Sequence, residues 1–226
     1  MIKAAALVSE GGSKLQALID SVFFQEIPDF ELTVISSDPE AHAVVRAENA
    51  GLPCYIVEEA LFPNGASFSL ALLNKLRDLD IDLIILSDFW PSLGDGISRL
   101  YYGRAIGVRP ALVPAFEGVR EDKVCGEALR RGLRVTGATS YYTDSTGGVG
   151  PIIDQRAVEI LPEDTPVTLR RRLMEDAEWP LLVDAVKRHC AGKLKLVDGA
   201  AVTADASPAE ETAEAEEPDT DTEPNG

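Results

Sequence analysis

The segment AIGVRPALVPAFEGVR, residues 105–120, combines the pattern of a buried strand with that of a rigid turn. Its first part is a short apolar run, and runs of this kind that are bounded by turn residues are typical of central strands. Pro110 and Pro114 then restrict the backbone, whereas Gly118 permits conformations that other residues avoid. We therefore predict a strand over residues 103–108 that leads into an ordered loop.

Apolar runs alternate with amphipathic helical patterns throughout the first half of the chain. The run at residues 83–86 is apolar on both faces, which a parallel sheet covered by helices requires. Leu15 is followed by apolar residues at i+3, i+4 and i+7, the spacing of an amphipathic helix. The other predicted strands are residues 4–8, 31–36 and 54–57, and the other predicted helices are residues 41–50 and 68–79. This alternation of strand and helix predicts a doubly wound parallel sheet.

The pattern changes after a helix that we predict at residues 121–131. Two extended segments, residues 134–142 and 151–160, flank a glycine-rich loop, which indicates antiparallel strands. A long helix follows, because Thr165 is suited to an N-cap and Pro166 to the first helical position.

The chain divides into a folded part and a tail of different composition. Residues 1–200 are predicted to form one α/β domain with a doubly wound, mainly parallel sheet, late antiparallel strands and a long C-terminal helix. Residues 201–226 contain nine acidic residues and no Lys or Arg, so they cannot bury enough apolar surface to fold. They are predicted to form a disordered acidic tail, either a solvating segment or a binding one.

Composition excludes several classes of function. The net charge is −17, and the chain stays acidic without its tail, which argues against nucleic acid as a partner. The three cysteines have no motif spacing and the chain has two histidines, so we predict no metal site. The N-terminal apolar run is too short for a signal peptide or a membrane span. We therefore predict a cytoplasmic protein without a membrane partner. The acidic composition does not exclude one small anionic ligand held in a local pocket.

The turn between the first strand and the first helix is a candidate anion site. It contains Gly11, Gly12, Ser13 and Lys14, whose glycines allow close backbone approach and whose lysine carries a positive charge. The N-terminus of the helix adds unpaired N–H groups and a partial positive charge. These four residues are predicted to bind a phosphate group, although a glycine-rich turn is also useful structurally without a ligand.

Three segments resemble the folate-dependent formyltransferases, most closely the glycinamide ribonucleotide formyltransferases of purine synthesis. The family reads Ser-Gly-x-Gly-Ser-Asn-Leu-Gln where this chain has SEGGSKLQ from Ser9. It reads Asn-x-His-Pro-Ser-Leu-Leu-Pro where this chain has GVRPALVP from Gly107, and Asp-Gly-Gly-Pro where this chain has GVGP from Gly148. The resemblance covers residues 1–197 and implies the same fold, with a substrate phosphate held in the first turn.

The resemblance also implies a reaction, formyl transfer from a folate to an amine. Such a transfer passes through a tetrahedral intermediate, which needs a donor for the oxyanion and a group that moves the amine proton. In the family an Asn, a His and an Asp have these roles, and here the three positions are occupied by Gly107, Arg109 and Gly148. Arginine cannot accept a proton near neutral pH. No family catalytic side chain is therefore intact, and Asp144 is a candidate substitute for the carboxylate.

Two further segments match binding residues of the family. The segment IILSDFWPSL, residues 84–93, is similar to one that leads into the folate pocket. The residues assigned to that pocket are Phe89, Trp90, Pro91 and Leu93, with packing of an aromatic side chain over the sheet edge as the structural alternative. Glu175 matches a glutamate that binds the substrate ribose, with a solvated helix face as the alternative.

Two hypotheses for function follow. The first is a catalytically impaired formyltransferase-like protein of purine biosynthesis, with 10-formyltetrahydrofolate as co-substrate and glycinamide ribonucleotide as the small anionic ligand. The second is a non-catalytic paralogue, a pseudoenzyme that binds a sugar phosphate, a nucleotide-like ligand or a partner protein. The sequence contains no indication of the oligomeric state.

Overall fold

A seven-stranded sheet forms the centre of the structure, a computed structural model in which residues 1–203 are described. Its strands are β1 (Ile2–Val8), β2 (Phe30–Ser36), β3 (Cys54–Ile56), β4 (Leu83–Leu86), β5 (Ala105–Arg109), β6 (Val135–Thr143) and β7 (Val149–Glu159). They lie in the order β3-β2-β1-β4-β5-β6-β7. The first five strands are parallel, and β6 and β7 are antiparallel to their neighbours. The predicted fold, a mainly parallel sheet with late antiparallel strands, is confirmed.

Helices cover both faces of this sheet. They are α1 (Ser13–Phe23), α2 (His42–Asn49), α3 (Gly65–Asp78), α4 (Gly94–Leu100), α5 (Val124–Arg130), α6 (Pro166–Leu173) and α7 (Trp179–Cys190). Because successive side chains of a strand point to opposite faces, Ala4 and Ala6 of β1 join one apolar core while Ala5 and Leu7 join the other. Burial on both faces is the physical reason why these strands have continuous apolar runs.

The middle of the sheet contains a topological switch point. Strands β1 and β4 are neighbours, while β2 and β3 extend the sheet on one side and β5 extends it on the other. In open α/β sheets the crevice outside the carboxyl ends of such strands is the usual ligand site. The segments that follow β1 and β4 therefore position the site described below.

The predicted long C-terminal helix contains a π-helical turn. Thr165 caps α6 and accepts a hydrogen bond from the Thr168 backbone, as predicted for an N-cap. Residues Met174–Glu178 then form a π-turn that joins α6 to α7. Pro180 has no N–H to donate to the carbonyl of Asp176, and Arg156 donates to that carbonyl instead at 3.1 Å. The proline thus accounts for the break in regular helical bonding.

A small hairpin follows α7 and crosses the predicted domain boundary. Its strands are β8 (Leu194–Val197) and β9 (Ala200–Thr203), which pair with each other in a separate two-stranded sheet. Arg188 of α7 donates a hydrogen bond to the Thr203 hydroxyl at 2.7 Å, which ties the second strand to the helix. The boundary predicted at residue 200 therefore falls inside β9. The remainder of the predicted acidic tail, residues 204–226, lies outside the described residues.

Candidate functional site

The carboxyl ends of β1 and β4 open onto a cleft of about 320 Å³. The Ser9 N–H donates to the Asp88 carbonyl, and the Trp90 N–H donates to the Ser9 hydroxyl, each at 3.1 Å. These two bonds hold the segments after β1 and β4 together. The cleft is lined by Glu10, Gly11, Gly12, Ser13, Arg46, Asp88, Trp90, Glu121, Asp122 and Arg170. The predicted first turn and the predicted aromatic residue Trp90 therefore share one cleft.

The N-terminus of α1 is formed by Gly12 and Ser13, and no side chain caps it. Gly12 has a φ of +67°, and a Cβ at this position would lie 2.7 Å from the Cβ of Ala43. Glycine is thus required both by the backbone conformation and by the approach of α2. The first N–H groups of α1 remain without helical partners, which is the arrangement that binds anions at helix N-termini.

Arg46 of α2 is a cation of this cleft that was not identified from the sequence. Its Nε donates to the Gly11 carbonyl at 2.9 Å, and an Nη donates to the Gln16 side chain at 3.0 Å. These bonds place the guanidinium beside the turn that was predicted to bind phosphate. No local motif marks Arg46, because α2 reaches the turn only through tertiary packing.

Lys14 does not face the cleft as predicted. Its side chain is 2% exposed, and its ammonium lies 3.0 Å from Asp88, 3.4 Å from Glu178 and 3.6 Å from Glu121. It also donates to the Val108 carbonyl at 3.3 Å. Burial lowers the pKa of Lys14, but the carboxylates of Glu121 and Asp88 more than offset this effect, so the pKa lies above its ordinary value of 10.5. The prediction that the Lys14 cation contacts a phosphate is corrected, because these partners hold it in the interior.

Glu178 connects Lys14 to a second cation. This carboxylate comes from the π-turn, is 0% exposed, and forms an ion pair with Arg170 of α6 as well as with Lys14. Asp88 and Glu121 remain partly exposed where they line the cleft. We call Lys14, Asp88, Glu121, Arg170 and Glu178 the buried charge cluster. Its members come from five different segments, so only the fold brings them together.

The space beside Gly107 is filled by a tyrosine. Gly107 of β5 pairs directly with Tyr141 of β6 in the antiparallel register. A Cβ on Gly107 would lie 2.8 Å from both Cζ and the hydroxyl oxygen of Tyr141. Tyr141 is 8% exposed, and burial raises its pKa to about 12, with Glu121 adding to the rise. A phenolic hydroxyl that stays protonated at neutral pH therefore takes the place of a side chain at position 107.

Arg109 at the end of β5 is directed to the loop that follows it. Its Nη2 donates to the carbonyl of Phe116 at 2.8 Å and to that of Val119 at 2.6 Å. Phe116 and Gly118 both have positive φ values in this loop. The guanidinium therefore stabilises the loop predicted from residues 105–120. It offers hydrogen-bond donors but no base.

Asp144 lies beside the position of Gly148 in the loop between β6 and β7. Its Oδ1 accepts hydrogen bonds from the backbone N–H groups of Thr146 and Gly148 at 2.8 and 2.9 Å. A Cβ on Gly148 would lie 3.2 Å from Asp144 Oδ2. Hydrogen bonds from Thr146 hold the pKa of Asp144 below its usual value, so this group is a carboxylate at neutral pH. Asp144 and Gly148, the two positions considered for the family's aspartate, thus lie side by side in the structure.

The other predicted binding residues differ in accessibility. Trp90 is 46% exposed at the cleft. Phe89 stacks on Phe68 with ring centroids 6.3 Å apart, and Pro91 and Leu93 are buried. Trp90 is therefore the member of this group that offers an open aromatic face, while the other three support the chain beneath it.

Glu175 lies in the π-turn, next to the turn at residues 11–14 that was predicted to bind phosphate. Its side chain is exposed. The Ser13 hydroxyl donates a hydrogen bond to the sulfur of the neighbouring residue Met174 at 3.8 Å. This bond places the π-turn against the N-terminus of α1. A hydroxyl-binding role for Glu175 stays a prediction.

Within residues 1–203 no group of three or more His, Cys, Asp or Glu side chains is placed to hold a metal ion. In the same part of the chain, no helix is long and apolar enough to cross a membrane.

Fold and site together define a doubly wound α/β protein with an uncapped helix N-terminus at its switch point. Residues 2–186 match the family model described as formyl transferase. The chain therefore belongs to the formyl transferase family, and the resemblance drawn from its motifs is confirmed.

Relatives of this chain include phosphoribosylglycinamide formyltransferases. One from Bacillus subtilis is 33% identical over 185 residues, which are 81% of this chain and 93% of that protein. The trifunctional purine biosynthetic protein adenosine-3 of Drosophila melanogaster is 32% identical over 78% of this chain, which spans 13% of that longer protein. The crystal structure of glycinamide ribonucleotide transformylase 1 from Symbiobacterium toebii matches with a TM-score of 0.83 and 30% identity, over 90% of this chain and 94% of that one.

Proposed function

We propose that this chain binds glycinamide ribonucleotide and 10-formyltetrahydrofolate and transfers the formyl group at a strongly reduced rate. Its family membership and the similarity to phosphoribosylglycinamide formyltransferases support the reaction class. The observation that carries the reduced rate is that Arg109 stands at the family's histidine position and donates to two loop carbonyls. A guanidinium cannot take the amine proton, because it keeps its own proton throughout the neutral pH range.

Part of the catalytic arrangement remains. Asp144 keeps a carboxylate beside the position of Gly148, where the family has its aspartate. In the family that carboxylate orients and charges the histidine, so here it has no partner on which to act. The site thus lacks a proton acceptor, whereas a carboxylate is still present beside Gly148.

A single-turnover assay with the protein in excess over both substrates tests the reduced rate. Loss of the proton acceptor should lower the rate by about 10²–10⁴ relative to an ordinary enzyme of this class. Appearance of formylated glycinamide ribonucleotide is followed together with release of tetrahydrofolate, so that hydrolysis of the donor is counted separately. A turnover number within the usual enzyme range of about 1–10³ s⁻¹ would show that the site is not impaired.

Phosphate binding gives a second prediction. Replacing Arg46 by alanine should weaken binding of glycinamide ribonucleotide about tenfold or more, because a charge-assisted hydrogen bond at the α1 N-terminus is lost. Isothermal titration calorimetry without the folate measures this affinity. Arg99→Ala is the matched control, since Arg99 is exposed and, among residues 1–203, pairs only with Asp95 on its own helix. Equal affinities for the two variants would contradict a phosphate site beside Arg46.

The non-catalytic alternative rests on the same helix N-terminus. An uncapped α1 with Arg46 beside it can bind a sugar phosphate without any chemistry. Tight binding of glycinamide ribonucleotide with no product in the single-turnover assay would favour this alternative.

A further inference from the structure

The reaction proposed for this chain assigns no role to Tyr141. It lies in the strand next to Gly107, and its ring and hydroxyl lie where a side chain at position 107 would begin. Tyr141 is 8% exposed as a residue, and no hydrogen bond to its hydroxyl is present among residues 1–203. The hydroxyl oxygen is not one of the fully buried polar atoms that lack a partner, so it keeps contact with solvent and can donate to a bound group.

Burial is the largest cause of the raised pKa of the Tyr141 hydroxyl, and Glu121 and Asp144 add to the rise. Lys14 and Arg109 act against it. The net pKa of about 12 keeps the hydroxyl protonated, and therefore a donor, at neutral pH. Phenolic O–H groups are established donors in oxyanion holes, where they act in place of an amide.

We infer that the Tyr141 hydroxyl is the oxyanion donor of this site and replaces the amide side chain that is absent at Gly107. This inference rests on the proposed formyl transfer and adds the residue that stabilises its intermediate. The amine nitrogen attacks the formyl carbon, and the π electrons of the carbonyl move to its oxygen, which Tyr141 holds. The carbonyl re-forms as the bond from carbon to the folate nitrogen breaks. The proton that the amine loses ends on that folate nitrogen.

The test uses Arg109→His as a background, because this change supplies a proton acceptor and raises the rate to be measured. In that background Tyr141→Phe should lower kcat about 10²-fold or more and leave the KM of the formyl donor unchanged, since the contact forms only in the transition state. Tyr142→Phe is the matched control: it removes a neighbouring buried hydroxyl, which is bonded to His189. It should change kcat less than about threefold, because a group without contact to the intermediate gives it no stabilisation.

A donor swap separates a chemical role from a structural one. Tyr141→Ala alone should lose activity, and adding Gly107→Asn should restore at least part of it, because the smaller residue leaves room for an amide at position 107. Gly107→Asn alone should not help, since Tyr141 occupies the space.

The outcomes distinguish the inference from the proposed function. Equal kcat for the Tyr141→Phe and Tyr142→Phe variants would overturn the role of Tyr141 alone. An active background with a wild type that gives no product at all would overturn the proposed residual activity and leave Tyr141 to be judged by its own variants. If neither the wild type nor the Arg109→His background gives any product, both the proposed function and the role of Tyr141 are overturned.

Discussion

Replacing Lys14 by methionine should lower the free energy of unfolding by about 3–5 kcal/mol, the usual effect of removing one partner from a buried ion pair. The ammonium is 2% exposed and lies within 3.6 Å of three carboxylates, one of which, Glu178, is 0% exposed. Without Lys14 these carboxylates face each other with Arg170 as their remaining cation. Chemical denaturation followed by circular dichroism measures the loss.

Two further variants test whether the loss of stability comes from the buried charge. Lys123→Met removes a lysine that pairs with Asp122 at the surface, so it should cost less than about 1 kcal/mol. Adding Glu178→Leu to Lys14→Met should recover part of the loss, because the buried negative charge is removed together with its partner. A Lys14→Met protein as stable as the Lys123→Met protein would mean that the buried charge cluster does not stabilise the fold.

The same cluster predicts a dependence of stability on pH. The pKa of Lys14 is raised above its ordinary value of 10.5, so the folded state binds this proton more tightly than the unfolded state. Its contribution is fully present below about pH 10 and is lost as the pH rises through the folded-state pKa. The Lys14→Met variant should therefore lose less stability than the wild type between neutral pH and pH 11.

Replacing Arg109 by histidine should raise the rate of formyl transfer by about 10²-fold or more. An imidazole is half-protonated near pH 6.5, so it accepts the amine proton at neutral pH, whereas the guanidinium does not. Asp144 is already a carboxylate beside Gly148, and we expect it to orient the ring. Single-turnover rates with glycinamide ribonucleotide and 10-formyltetrahydrofolate measure the gain.

Arg109→Gln is the matched control for this gain. Both substitutions weaken the bonds that Arg109 makes to the Phe116 and Val119 carbonyls, but glutamine has no group that accepts a proton at neutral pH. The histidine variant should also lose rate as the pH falls below about 6.5, and the glutamine variant should not. Equal rates for the two variants at neutral pH would mean that proton transfer does not limit the reaction.

The strands were predictable because their signal is local. The residues of β4 are apolar on both faces, and the predicted range 83–86 agrees with the observed Leu83–Leu86. Short elements without such a pattern were missed, among them α4, whose sequence GDGISRL contains two glycines, and β9 at the predicted domain boundary. Helix propensity is weak in α4, and neither α4 nor β9 has a clear apolar periodicity. Tertiary packing therefore decides the structure of these two segments.

Motifs allowed candidate site residues to be assigned, but they did not predict the contacts of these residues. Gly107, Arg109 and Gly148 were assigned from motifs, and Asp144 was considered as a substitute from its distance along the chain. Lys14 was assigned to the wrong environment, because a lysine next to two glycines resembles a phosphate ligand in any local comparison. Its three carboxylate partners come from the segment after β4, the turn before α5 and the π-turn. No local pattern links these segments.

The sequence by itself determined the doubly wound fold and the family, because periodicity and motif identity are properties of consecutive residues. It also predicted that Gly107 and Arg109 stand at the family's Asn and His positions. The tertiary structure alone decided what surrounds Gly107 and Lys14. The pairing of β5 with β6 brings the Tyr141 hydroxyl to Gly107, and the switch point gathers the buried charge cluster around Lys14. Both depend on strand register and on packing between segments distant in the chain, which set the distance between side chains and hence their chemistry.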